Sequence, residues 1–236
     1  VAIKIYISQA NQAHNAGPGG YTEKAGMDAI SRALAGVFKR DGRFAVKRNV
    51  AGSRVDTASE NGREANAWGA DYYVALHSNA GGAGARGTFG FYYSRSSKGY
   101  ALAKAIVAEV SPLSPGEGKA LIAKPGFIEL HTPKAPACLI EIEAHDWAKG
   151  VKFLTGKKSA IAEAIYRGIC KGIGLKPVPA KPAQPAQPAV DYRSLKREAV
   201  ALAKALGVPT DGVGPNSNQL GTPARRLLRA LADHEG

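Results

Sequence analysis

The apolar positions of the chain alternate between two periods. "AIKIYIS" (2–8) is a short apolar run of strand type. After it, Thr22 caps a stretch in which Met27, Ile30, Leu34, Val37 and Phe38 recur at helical spacing on one face. "RFAVKR" (43–48) is a second strand behind the turn "RDG", and "DTASENGREANAWG" (56–69) is a helix opened by Asp56. "DYYVALH" (71–77) and "GTFGFYYS" (87–94) are the third and fourth strands. "SKGYALAKAIVAEV" (97–110) is a helix that buries Leu102, Ile106 and Val110. "ACLIEIE" (137–143) is another buried strand, and a last helix carries Ile161, Ile165, Ile169 and Ile173 until Gly174 stops it. The alternation predicts an α/β fold with an open, mostly parallel twisted sheet and helices on both faces. Ligands of such sheets bind beyond the carboxyl ends of the strands.

The pattern breaks at "KPVPAKPAQPAQPAVD" (176–191), where proline recurs every two or three residues and periodicity vanishes. That composition predicts a semi-rigid, extended linker between a main domain, 1–175, and a small helical module, 192–236. In the module, Leu195, Ala199, Leu202 and Leu206 mark one amphipathic helix, and Leu220, Leu227, Leu228 and Leu231 a second. So few large apolar residues make a marginal core. Such a helix pair suits docking on a partner or joining copies of the chain into an oligomer.

Charge narrows the partners. The net charge of +13 favours an anionic partner, such as nucleic acid, a membrane surface or an acidic envelope polymer. The basic residues are dispersed, with no nucleic-acid-binding motif among them, so nucleic acid is not expected. No apolar stretch approaches the roughly 18 residues that a membrane span needs, and "VAIKIYIS" has no leader pattern, so synthesis in the cytoplasm without a signal peptide is expected. Cys138 and Cys170, in apolar runs, read as small core residues.

Candidate chemistry gathers at the strand ends. His77 closes the strand "DYYVAL", His14 lies in the loop after the first strand, Glu23 opens the following helix, and Glu141 sits in "ACLIEIE". Two imidazoles and a carboxylate with a fourth position open suit a catalytic zinc ion, and a carboxylate off the metal suits a general base. Each residue also has a plainer reading. A histidine ending a strand can be a satisfied polar residue, and Glu23 a first-turn acid favoured by the helix dipole. A carboxylate in a buried strand, however, demands a partner. His131, in "FIELHTPKAP", is placed to reach a substrate or to face solvent, and His145 to hydrogen-bond locally. "GGAGARG" (81–87) joins two strands and reads as a rim loop.

The order of segments adds a family. "REANAWGADYYVALHSNA" resembles the R-x-x-AN-x-x-x-AD-x-x-x-S/A-x-H-x-N segment of the zinc-dependent N-acetylmuramoyl-L-alanine amidases (Amidase_3), found in autolysins and phage endolysins. "APACLIEIEAHD" is similar to that family's final strand, with "IYISQANQAHN" and "YTEKAGMDAI" ahead of both. The resemblance implies one zinc per chain held by His14, Glu23 and His77, with Glu141 as the catalytic glutamate and Asn79 shaping the site. It also implies peptidoglycan as substrate, cleaved between N-acetylmuramic acid and the L-alanine of the stem peptide. The anionic wall polymers would then be partners, 192–236 a module expected to bind the cell wall, and the place of action the bacterial wall, reached by phage lysis or export. The chain departs from the family where many relatives have D-P-G-H-G-G after the first strand, because here the histidine arrives later. Glu143 stands where glycine is common, two residues from Glu141 and so on the same strand face, placed to tune or replace it. Two rival readings are a zinc peptidase or other zinc hydrolase on a similar scaffold, and a non-catalytic basic protein that binds wall or nucleic acid.

Overall fold

The structure, a computed structural model, describes residues 2–49 and 57–179, and beyond them Ala201 and Ala205. In chain order the elements are β1 (Ile3–Gln9), β2 (Ala16–Gly17), β3 (Tyr21–Thr22), α1 (Glu23–Phe38), β4 (Phe44–Arg48), α2 (Ala58–Trp68) and β5 (Tyr72–Asn79). They continue with β6 (Gly87–Tyr92), α3 (Ser97–Val110), β7 (Gly118–Ala123), α4 (Ile128–His131), β8 (Ala137–Ala144), α5 (Ala148–Gly156) and α6 (Lys158–Gly172). The main sheet has six strands in the order β4-β1-β5-β8-β6-β7. Its neighbours are parallel except for β6 and β8, which run antiparallel. This is the open, mostly parallel sheet that the apolar pattern predicts.

Period-two alternation divides the side chains of the central strands between two cores. Val74 and Leu76 of β5, with Cys138, Ile140 and Ile142 of β8, pack against α1, α3 and α6. Tyr73 and Ala75, with Ala137 and Leu139, face the other way, toward Ala65 of α2 and Leu130 of α4. Both cysteines are buried and free, as their apolar surroundings predict. The second face is the thinner one, and it carries the chemistry. His77 follows Ala75 by two residues on β5, Glu141 follows Leu139 by two on β8, and the two are paired in register.

Some elements differ from the sequence reading. Helix α2 is capped by Thr57, whose side chain accepts from the Glu60 amide while Glu60 reaches back, a reciprocal capping box; Asp56 lies outside the described residues. Strand β7 and helix α5 carry apolar patterns too short to stand out. The first compact unit extends to Pro179, and packing holds its last residues down. The Val178 amide donates to the Tyr166 hydroxyl (2.9 Å), Tyr166 donates to Asp41 (2.6 Å), and Arg43 holds both Asp41 and the Lys176 carbonyl. The rest of the linker and nearly all of 192–236 lie outside the described residues; Ala201 and Ala205 are helical and exposed.

Asp41 is the hub of that strap. Hydrogen bonds from Arg43 and Tyr166 outweigh burial and hold its carboxyl at about 2. A carboxyl depressed in the folded state stabilises the fold fully above its unfolded pKa of roughly 4 and loses that contribution as pH falls toward 2. Urea unfolding should therefore show Asp41→Asn less stable than the parent by on the order of 1–2 kcal/mol at pH 7, with the gap closing by pH 2. A gap that stays constant over that window would contradict this role for Asp41.

Candidate active site

The site is built around one imidazole. At the carboxyl end of β5, His77 lies between two carboxylates, with Nδ1 3.0 Å from Oε1 of Glu23 and Nε2 2.7 Å from Oε2 of Glu129. Glu23 arrives on the first turn of α1, which Thr22 caps through the Ala25 amide. Its Oε1 also accepts from the Ser78 amide (3.1 Å), and its Oε2 from Asn15 Nδ2 (2.6 Å). Glu129 comes from the short helix α4. Its Oε1 accepts from the Ser8 hydroxyl (2.5 Å) and the Tyr73 hydroxyl (3.2 Å), and Asn61 donates to Ser8 (3.0 Å). Seven side chains from β1, the loop after it, α1, α2, β5 and α4 thus form one continuous network.

Its electrostatics follow from mutual compensation. Burial alone would push both carboxyls up, but the hydrogen bonds from His77 and the other donors prevail and hold Glu23 and Glu129 below the usual carboxylate range. Burial would likewise lower His77, yet Glu129 and Glu23 raise it well above an ordinary histidine. Glu141 has no such help. Its Oε2 is shut off from solvent with no hydrogen-bond partner among the described residues. Burial pushes its carboxyl up to about 7; the charge on His77 pulls it down, while those on Glu23 and Glu129 push it further up. A carboxyl poised there is suited to accept and return a proton at neutral pH.

The structure brings together Glu23, His77 and Glu141, but not His14. His14 is exposed in the turn after β1, and its neighbour Asn15 takes the inward position on Glu23. The Asn15 carbonyl also accepts from the Glu23 amide (2.9 Å), so the turn docks through Asn15. Among the described residues, no three His, Cys, Asp or Glu side chains are grouped to hold a metal ion. Glu143 is engaged by its own set of donors. Its carboxylate accepts from the amides of Gly87 (2.7 Å), Ala144 (2.7 Å) and Gly116 (2.9 Å), and from the Ser114 hydroxyl. It binds the starts of β6 and β7 to the end of β8. The fit requires glycine, since Gly87 has φ +118 and a Cβ there would lie 2.0 Å from the Gly118 carbonyl oxygen.

Asn79 ends β5, accepts from the Ala80 amide (3.0 Å) and donates to the Ala85 carbonyl (3.3 Å), so it shapes the 80–85 loop. His131 is exposed at the end of α4, in a groove with Tyr93, Arg95 and Lys134 rather than in the cleft of His77. His145 is buried against Ser78, a local structural contact. Glu129 went unnoticed in the sequence, as did Asn11 and Gln12. These two line the cleft beside His77, each with a buried side-chain oxygen that has no partner among the described residues. The one signal available for Glu129 was a lone acid between Ile128 and Leu130.

With this geometry in view, the family is decided by a match of residues 5–171 to the Amidase_3 model, described as N-acetylmuramoyl-L-alanine amidase. The chain belongs to that amidase family. Solved structures share the fold. The N-acetylmuramoyl-L-alanine amidase AmiC2 of Nostoc punctiforme is 22% identical, with 72% of this chain and 97% of that one covered at a TM-score of 0.64. Ami1 of Mycobacterium abscessus is 16% identical over 73% and 100%, at 0.64. The catalytic domain of the CD27L endolysin, which targets Clostridia difficile, is 21% identical over 75% and 99%, at 0.58. Among curated proteins no sequence match was found. The enzyme is thus an amidase of peptidoglycan, and no helix among its described residues is long and apolar enough to cross a membrane.

The role of Glu143 can be measured. Glu143→Gln leaves one acceptor to serve donors that now hold a charged group, so unfolding should show a loss of roughly 1–3 kcal/mol. The acid limb of the amidase pH profile should stay in place. A shifted acid limb with unchanged stability would make Glu143 part of the catalytic electrostatics after all.

Proposed function

We propose that Glu23 and His77 hold the zinc ion of this amidase and that Glu141 carries the proton in cleavage of the N-acetylmuramoyl–L-alanine bond. The observation that supports this most is the Nδ1–Oε1 approach of 3.0 Å between His77 and Glu23, beside a buried carboxylate oxygen with no partner. Two donors on one tetrahedral zinc ion would lie roughly 3.3 Å apart, given bonds of about 2.0–2.2 Å, so the pair is close to that spacing. One imidazole and one carboxylate also match the donor chemistry of zinc. When bound, zinc supplies Lewis-acid polarisation of the amide carbonyl and a more acidic water.

The chain's own residues supply the remainder. Glu141, across the β5–β8 ladder from His77, takes the proton of the attacking water and returns it to the departing amine of L-alanine. Ser78 and Asn15 hold the Glu23 carboxylate in one orientation through the bonds described above. His14 is expected to contribute less than the other two, because its side chain faces outward. Residues 192–236, joined by the proline-rich segment, are proposed to hold the enzyme on the wall through their basic charge, or to pair copies of the chain.

Three measurements test this reading. Elemental analysis should find one zinc per chain in the parent and in Glu141→Gln, little in His77→Ala, and retained metal in His14→Ala. Turnover in Glu141→Gln should fall by roughly two to four orders of magnitude. Full zinc in His77→Ala, or near-normal turnover in Glu141→Gln, would overturn the assignment. A chain ending at Pro179 should keep turnover on soluble muropeptides and lose it on whole walls. If soluble turnover disappears too, the tail belongs to the catalytic unit.

A further inference from the structure

The proposed chemistry makes no use of Glu129, although it is buried on the same imidazole. It is 7% exposed, comes from a four-residue helix, and ends a line of donors. Asn61 donates to Ser8, and Ser8 and Tyr73 both donate to Glu129 Oε1, which leaves Oε2 for Nε2 of His77 at 2.7 Å. With Oε1 already taking two hydrogen bonds, this carboxylate is oriented by protein on one side and by His77 on the other. A fixed carboxylate that accepts the Nε2–H sets the ring orientation and favours the neutral tautomer in which, once the Nδ1 proton has left, the Nδ1 lone pair is available to a metal. Nδ1 is the atom that faces Glu23.

Resting on the reading that Glu23 and His77 bind zinc, we infer that Glu129 is a positioning residue that holds the Nε2 proton of His77 so that Nδ1 is presented to the metal beside Glu23. Ser8, Tyr73 and Asn61 in turn fix Glu129. Two alternatives make different demands. If Glu129 were itself a metal ligand, Oε2 would have to leave His77. If it were only a packing residue, any change that loosens α4 would have the same effect.

The test uses the full chain and measures zinc affinity by competition with a chelator, together with the absorption spectrum of the cobalt-substituted protein. Glu129→Gln keeps the shape and removes the charge. Its zinc affinity is expected to fall by roughly 10–100-fold, with one zinc still bound at saturation and a cobalt spectrum of unchanged shape, because the ligands are the same. Ser8→Ala, which leaves Glu129 in place, is expected to weaken zinc several-fold. Leu130→Ala, the adjacent packing residue, should lower the melting temperature with little effect on affinity. Zinc affinity within twofold of the parent in Glu129→Gln overturns the inference. So does a cobalt spectrum that reports a lost ligand, or a Leu130→Ala variant that weakens zinc as much. If Glu129→Gln does not fold, Ser8→Ala decides, and unchanged affinity there overturns it. A parent chain that takes up no zinc overturns the metal reading and this inference together, whereas a parent that binds zinc with an unaffected Glu129→Gln overturns this inference alone.

Discussion

Ionisable groups can be buried together only if their charges and hydrogen bonds compensate one another. The line Glu23–His77–Glu129 meets that requirement, and much of the catalytic face is arranged around it. His77 would be costly at the end of a buried strand without its carboxylates, and each carboxylate would be costly without His77 and its other donors. Removing one member leaves the others uncompensated. The network therefore constrains where α1 begins, how the turn after β1 docks through Asn15, and why the irregular stretch before β8 forms the short helix that carries Glu129.

Glu141 is the exception in this arrangement. It lies beside His77 on the neighbouring strand, within the field of all three charges, but its Oε2 is left without a hydrogen-bond partner among the described residues. A saturated network holds the ring, and an unsaturated carboxylate waits next to it. That contrast supports the proposed division between residues that hold the ring and Glu141 as the proton carrier. Glu143, two positions along the same strand, shows the opposite outcome for the same residue type. Four donors occupy it, and its work is to close the far end of the sheet.

Most of the fold was legible in the chain because period-two and period-3.6 patterns report directly which side of an element is buried. The ends of the strands, and hence the positions of His77 and Glu141, followed from the same patterns. What was not legible lies in irregular backbone. No period indicates which residue of "NQAHN" turns inward, and the amide of Asn15 does so while the imidazole of His14 does not. Glu129 sits on a single helical turn, too short to show a face. Alternation placed Glu143 on the face of Glu141 but could not show that Gly87 and Gly116 bring their amides close enough to engage it. The resemblance to the amidases named the chemistry, and the structure shows which of the named side chains meet and which do not.

The central claim is that this cleft hydrolyses the bond between the lactyl group of N-acetylmuramic acid and L-alanine. Mass spectrometry of the products released from purified peptidoglycan tests it most directly. The account predicts intact stem peptides with a free amino group on L-alanine, together with glycan strands that carry free muramic acid carboxyl groups. New amino groups within the stem or its cross-links, with L-alanine still attached to the glycan, would contradict it.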